Sequence, residues 1–240
     1  MIIYGRNPVR EALQGRRARS LGTIWATGGA AGEPWLKGLK VQSATAQEIE
    51  ARCGSESHQG ICADAGSYPY VGVRELLALE NPLLVALDQV QDPQNLGSIC
   101  RTAECAGVAG VVIPERRAAE VTPAVCKASA GAVEHLRIAR VRNLTDFLIE
   151  GREAGCWSYG ASGEEEGGRS PVPYDSPDYS GAGTILVLGS EGSGLRPRVA
   201  GSCDELIALP LLGKVGSLGV AAAASALLYE ILQKRLDSAS

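Results

Sequence analysis

Beyond residue 82 the chain repeats one pattern: a short, unbroken apolar run, then a longer segment with apolar positions at helical spacing. The runs at 83–88, 110–113, 136–141, 156–160, 184–189 and 205–209 predict strands. The segments 95–106, 122–130, 143–154, a short one near 195–201, and 217–236 predict helices. Strands without polar alternation are buried on both faces, so the alternation implies an α/β domain with a mostly parallel sheet covered on either side. Such sheets hold ligands beyond the carboxyl ends of their strands. Before residue 66 the elements are shorter. A strand and a helix with Pro8 in its first turn span 2–14, strands follow at 21–27 and 41–44, a helix capped by Thr45 runs over 45–53, and 60–65 closes the unit. This small α/β module needs a neighbour to be strongly stable. Gly66, Pro69, Gly72 and Pro82 surround an amphipathic piece at 73–79 and mark residues 66–82 as a linker with one helical turn or two. The domains expected are therefore 1–65 and 83–240. A G-E-E-E-G-G stretch at 163–168 reads as an acidic turn.

Composition narrows the classes. The chain has 240 residues, 45% of them hydrophobic, which supports real cores. No apolar run is long enough to span a membrane and no secretion signal is visible, so a cytoplasmic protein is expected. Seven cysteines without a C-x-x-C pair, and only His58 and His135, argue against a zinc site or a disulfide framework. Net charge is −4, divided as +2 over residues 1–65 and −6 over the rest. A nucleic-acid partner would have to be met by local basicity. The candidates are Arg6, Arg10, Arg16, Arg17, Arg19, Arg101, Arg116, Arg117, Lys127, Arg137, Arg140 and Arg142; a solvated surface charge is the ordinary reading of each.

Three strand-to-helix turns carry candidate chemistry. The last strand runs into Pro210, a glycine-punctuated loop, and Ser217, which the pattern makes the N-cap of the final helix. Lys234 and Arg235 fall in that helix's last turn. Val220 and four alanines open it, so backbones can approach closely there. Gly189, Gly192 and Gly194 have G-x-x-G-x-G spacing, not the G-x-G-x-x-G of dinucleotide sites, which argues against a nicotinamide-dependent oxidoreductase. Arg101 follows Asn95 by six positions on a helix that begins straight after a strand; a structural salt bridge to Asp88, Asp92 or Glu104 is its alternative use.

In order, D-P-Q-N-L-G-S-I-C-R-T-A at 92–103, L-G-S-E-G-S-G-L at 188–195 and L-P-L-L-G-K-V-G-S-L-G-V at 209–220 resemble the three motifs of the SpoU class of RNA ribose 2'-O-methyltransferases. Y-G-R-N-P-V-R-E-A-L at 4–13 and H-Q-G-I at 58–61 resemble the small substrate-binding domain of the branch acting on a guanosine of bacterial rRNA. The resemblance implies an L30e-like N-terminal substrate-binding domain and a C-terminal SPOUT domain with a deep trefoil knot. It implies S-adenosylmethionine as cofactor, RNA as substrate (rRNA, with tRNA as the alternative), and a homodimer joined through the knotted region. Arg101 would be catalytic, with Asn95, Glu191 and Ser217; Glu191 would orient Arg101 or its loop. Gly189, Leu209, Gly213 and Leu218 would bind cofactor, Gly189 by letting it approach the backbone. Arg6, Arg10, Arg101 and Arg116 would bind RNA, no metal is needed, and Glu134, in a further matching stretch, either lines the site or sits beside a helix cap at Gly131. A guanidinium stays protonated in proteins, so phosphate binding and alkoxide stabilisation suit Arg101 better than base catalysis. One departure stands out. The family pattern S-L-N-V-S is S-L-G-V-A at 217–221, without its Asn and second Ser. A catalytically weak or silent RNA-binding or ribosome-assembly factor is therefore the alternative.

Overall fold

A computed structural model describes residues 1–165 and 168–238; residues 166 and 167 of the acidic stretch lie outside the described residues. The N-terminal unit comprises β1 (Ile2–Tyr4), α1 (Arg6–Gln14), β2 (Ile24–Ala26), α2 (Gly28–Ala31), β3 (Val41–Ser43), α3 (Ala46–Cys53) and β4 (Ile61–Asp64). Its sheet has the order β1-β4-β2-β3, with β2 and β3 parallel and the other pairs antiparallel. Thr45 caps α3 as expected. Its hydroxyl accepts from the Glu48 N–H at 3.2 Å, and the Glu48 carboxylate accepts from the Thr45 N–H at 2.7 Å.

The larger unit runs α4 (Val73–Leu77), β5 (Leu83–Leu87), α5 (Pro93–Cys105), β6 (Gly110–Pro114), α6 (Pro123–Ala128), β7 (Ile138–Val141), α7 (Leu144–Glu153), β8 (Cys156–Ala161), β9 (Val172–Pro173), β10 (Gly183–Leu188), α8 (Pro197–Ala200), β11 (Glu205–Ala208) and α9 (Val220–Ser238). Seven strands pair in the order β7-β6-β5-β10-β8-β11-β9, every pair parallel. Both faces are covered. Leu83, Val85 and Leu87 of β5 join the core that includes residues of α5, α6 and α9, while Leu84 and Ala86 join the one built with α4, α7 and α8. No helix among the described residues is long and apolar enough to cross a membrane.

Three local expectations change. The final helix starts at Val220, not at Ser217; the Ser217 hydroxyl accepts from the Gly219 N–H at 3.1 Å inside the preceding turn. Gly219, at φ +78°, makes the break. β9 is a two-residue edge strand that no apolar run announces. Residues 66–82, read as a linker, pack on the larger unit: the Tyr68 hydroxyl donates to the Val133 and Leu136 carbonyls at 2.7 and 3.0 Å, and the Val71 N–H donates to the Ile138 carbonyl at 2.9 Å.

A buried ion pair ties the two units together. Arg17 and Glu134 are 1% and 0% exposed. Arg17 Nε donates to Glu134 Oε2 at 2.8 Å, Nη2 bonds the other carboxylate oxygen, and Nη1 donates to the Ala65 carbonyl at 3.5 Å. The guanidinium also lies 5.4 Å over the Tyr68 ring. Burial alone would lower the Arg17 pKa; its bonds to Glu134 hold it above the ordinary value. Arg17 is therefore closed to RNA, and Glu134 faces this seam. Arg17→Met should leave the buried carboxylate uncompensated and cost about 3–5 kcal/mol, whereas Arg17→Met/Glu134→Leu should recover most of that loss. Urea denaturation of both variants checks the ordering; equal destabilisation would contradict it.

Candidate active site

The loops after β10 and β11 meet beyond the carboxyl ends of those strands. Between Gly189 and Leu195 the chain folds back on itself: Ser190 and Gly194 exchange backbone hydrogen bonds at 3.0 and 3.1 Å, with Gly192 and Gly194 at φ +82° and +63°. A Cβ on Gly189 would lie 2.1 Å from the Gly194 carbonyl carbon and 2.4 Å from the Leu195 nitrogen. Glycine is thus required here by the turn itself, a reason independent of any ligand. Asp88, fully buried just past the end of β5, fixes the exit of this turn. Its carboxylate accepts from Arg196 N at 2.8 Å and Nε at 2.7 Å. Asp88 is committed to Arg196, and the expected alternative partnership with Arg101 does not form.

The 190–194 turn, residues 161–164, the loop after β11 and the start of α9 enclose a cavity of about 310 Å³. Leu188, Ile207, Leu209, Leu218 and Leu227 supply apolar wall; Ser190, Ser193 and Ser217 supply hydroxyls, and Glu164 and Glu191 supply carboxylates. An apolar slot with main-chain polar groups and acidic side chains suits a ligand that combines a flat ring with positive charge.

The expected residues fall into groups. Gly189, Glu191, Leu209, Ser217 and Leu218 border the cavity, whereas Gly213 is exposed on its loop and does not. Asn95 and Arg101 lie on α5, outside the lining. Arg101 is exposed and, among the described residues, makes no hydrogen bond or ion pair. Its neighbour Thr102 shares a 3.0 Å hydrogen bond with Ser225 of α9, which docks the Arg101-bearing helix on the helix that walls the cavity. Glu191 forms no bond to Arg101; its Oε1 lies 3.7 Å from where a Cβ on Gly219 would stand. Arg6 and Arg10 pair with Glu33 and Glu11, both at 2.7 Å. Arg116 is exposed and borders a second pocket with Glu115 and Arg142 at the carboxyl ends of β6 and β7. Sequence reasoning missed Arg196 as the Asp88 partner, the Thr102–Ser225 pair and Glu164. A charge closing an apolar strand signals Asp88; nothing local signals the others.

Comparison with known proteins places this geometry. The profile of the SpoU rRNA Methylase family matches residues 82–229, and that for RNA 2'-O ribose methyltransferase substrate binding matches residues 2–71. A Bacillus subtilis protein named as a TrmH family tRNA/rRNA methyltransferase, YacO, is 38% identical over 83% of this chain and 79% of its own length. A similarly named Staphylococcus haemolyticus protein is 33% identical over 98% of this chain and 96% of its own. The AdoMet-bound rRNA methyltransferase of Sinorhizobium meliloti superposes with a TM-score of 0.77 at 26% identity, covering 97% of this chain and 86% of that one.

Gly189→Ala should lower stability by about 1–3 kcal/mol, because its methyl must displace backbone. Gly213→Ala, where a Cβ meets only the Val215 nitrogen at 4.0 Å, should stay within about 0.5 kcal/mol of wild type. Thermal unfolding of the two variants tests the contrast.

Proposed function

The chain belongs to the SpoU rRNA methylase family, a family of RNA methyltransferases, and we propose that it moves a methyl group from S-adenosylmethionine to a ribose 2'-hydroxyl of RNA. A guanosine of large-subunit rRNA is the target we favour, on the resemblance of residues 4–13 and 58–61; tRNA is the other candidate that the names of its relatives include. The observation that carries the reading is the cavity walled by the second and third motifs, with an unpaired arginine on the helix docked against it.

The residues fit the cofactor. Leu209 and Leu218 offer apolar surface to an adenine ring, the 190–194 and 216–219 main chain offers donors and acceptors, and Glu164 and Glu191 suit a cation. When bound, S-adenosylmethionine supplies an electrophilic methyl on a sulfonium. The chain's part is positioning, which can contribute up to about 7–11 kcal/mol. Arg101, permanently charged and without an internal partner, holds the phosphate beside the target ribose and stabilises negative charge growing on the 2'-oxygen. Asn95 shapes the approach to it, Ser217 stands at the substrate side of the cavity, and Glu191 braces the loop at Gly219. Arg116 binds backbone phosphate; Arg6 and Arg10 do so in exchange for their carboxylate partners. The knot and the homodimer belong to the same reading, Gly213 acting through its place in the loop after β11. Leu212, 98% exposed, Val215 and the outward Ala222, Ala226 and Tyr229 of α9 support a second copy seated there. Arg101→Ala is expected to reduce methylation at least about 100-fold with cofactor affinity within a few-fold, and Arg101→Lys to fail as well, since a point charge cannot make the planar contact. Turnover on rRNA and calorimetric titration of cofactor are the measurements; near-normal turnover by Arg101→Ala would remove the assignment.

The silent-binder reading rests on Gly219. Its left-handed backbone is one that Asn also adopts, and the missing amide would lie against Glu191. One hydrogen bond there, about 0.5–1.5 kcal/mol, corresponds to about a 2- to 12-fold change in rate. We expect single-turnover methylation by wild type, accelerated within that range by Gly219→Asn. Wild type that binds cofactor and RNA but transfers no methyl would establish the silent binder instead.

A further inference from the structure

Two N-terminal stretches that the cavity leaves unused, Y-G-R-N-P at 4–8 and H-Q-G-I at 58–61, meet at one point. The Gly5 N–H donates to the Ile61 carbonyl at 3.1 Å, and the Arg6 N–H donates to Gln59 Oε1 at 3.0 Å. Gly5 and Gln59 both have left-handed backbone, at φ +95° and +54°; for Gln59 that conformation is strained by about 1 kcal/mol or more. Lys127, from α6 of the larger unit, reaches across the same point. A Cβ on Gly5 would stand 2.7 Å from Lys127 Nζ and 3.1 Å from Gln59 Oε1, so residue 5 must be glycine for the lysine to lie there. The ammonium sits 5.9 Å over the Tyr4 ring.

Lys127 lacks an anion, unlike several basic residues of this region. Arg6, Arg10, Arg137 and Arg140 each pair with a carboxylate, while Lys127, half-buried, forms no ion pair or hydrogen bond among the described residues. The nearby acids are occupied, Glu33 by Arg6 and Glu11 by Arg10 and His135. Burial pulls the Lys127 pKa below its ordinary value, the mark of a cation short of counter-charge. Gln59, its oxygen committed to Arg6, retains two amide N–H donors.

We propose that Tyr4, Gly5, Gln59 and Lys127 form a subsite for a backbone phosphate of the RNA substrate, gripped by both units at their seam. This rests on RNA being the substrate. Lys127 supplies the charge and Gln59 a donor, a contact that fixes register without reading sequence. The absence of a side chain at Gly5 leaves room for the ammonium beside Tyr4 and Gln59.

Binding of a large-subunit rRNA transcript, measured against salt concentration, tests the subsite. Lys127→Met keeps the stem and removes the charge; losing one phosphate contact should shrink the slope of log K against log salt by about 0.7–0.9. Cofactor affinity by calorimetry and melting temperature should stay at wild-type values. Gln59→Glu, which gives Lys127 an internal carboxylate and retains an acceptor for the Arg6 N–H, should weaken RNA binding without loss of stability. An unchanged salt slope in both variants overturns the subsite, whether or not stability falls. Failure of wild type itself to bind RNA while binding cofactor would instead strike the proposed function, and the subsite with it.

Discussion

Two charges almost without access to water, Arg17 and Glu134, set how the small sheet meets the large one. Stripping a guanidinium and a carboxylate of hydration is unfavourable by several kcal/mol each, so the pair is tolerable only where its geometry is fixed and its remaining hydrogen bonds are met. Here the Ala65 carbonyl, the Tyr68 ring and the Cys126 sulfur complete the surroundings of the guanidinium. The apolar core then runs without a break from Ile3 and Val9 of the N-terminal unit to Val125 and Leu136 of the larger one. A unit joined in this way is not a tethered module. It presents its surface to substrate at one fixed orientation, and Lys127, the residue after Cys126, is carried on the same seam.

The layout of the fold was legible because buried parallel strands carry no polar alternation, and their spacing leaves room for little but a helix between them. The Thr45 cap was legible for the same local reason; Asp92, Thr122 and Asn143, which were not singled out, likewise accept a first-turn N–H. Local chemistry misled at Ser217. A serine before a small-residue helix reads as its cap, yet Gly219 can reach a left-handed conformation and postpones the start by a turn. The 66–82 segment misled through its glycines and prolines, which mark bends but do not reveal whether a bend is free or packed. Its aromatic residues, Tyr68 and Tyr70, were the overlooked signal, since a solvated linker has no use for two rings. Arg17 and Glu134 stand 117 positions apart, and no pattern of period two or 3.6 connects them.

Site chemistry was legible to a different depth. Ordered motifs located the cavity and the exposed arginine, but not the reasons for individual residues. Gly189 was expected to serve a ligand, and it is also required by a backbone turn, since a Cβ there would stand 2.1 Å from the Gly194 carbonyl carbon. Asp88 offered itself as a partner for Arg101 and is consumed by Arg196. Both outcomes come from tertiary contacts, and both stiffen the loops around the cavity. A rigid rim of this kind is what a reaction driven by positioning requires.

A net charge of −4 does not by itself oppose binding of RNA, because charge acts locally. Glu11, Glu33, Glu75, Glu115, Glu120, Glu134, Asp88 and Asp204 are each spent on an internal cation. A phosphate within the screening distance of about 8 Å responds to what remains unpaired nearby, not to the sum over the chain. At the ends of β6 and β7 the remainder is positive, through Arg116 and Arg117, while on α5 Arg101 shares the helix with Glu104. Around the cavity it is negative, through Glu164 and Glu191. On the function proposed above, anionic polymer and cationic cofactor would each respond to the charge nearest its own contacts. A uniformly basic protein would bind RNA more tightly and would also draw phosphate toward the cavity meant for the cation. The acidic balance of the chain is therefore compatible with the proposed function, because binding answers to local charge and not to the sum.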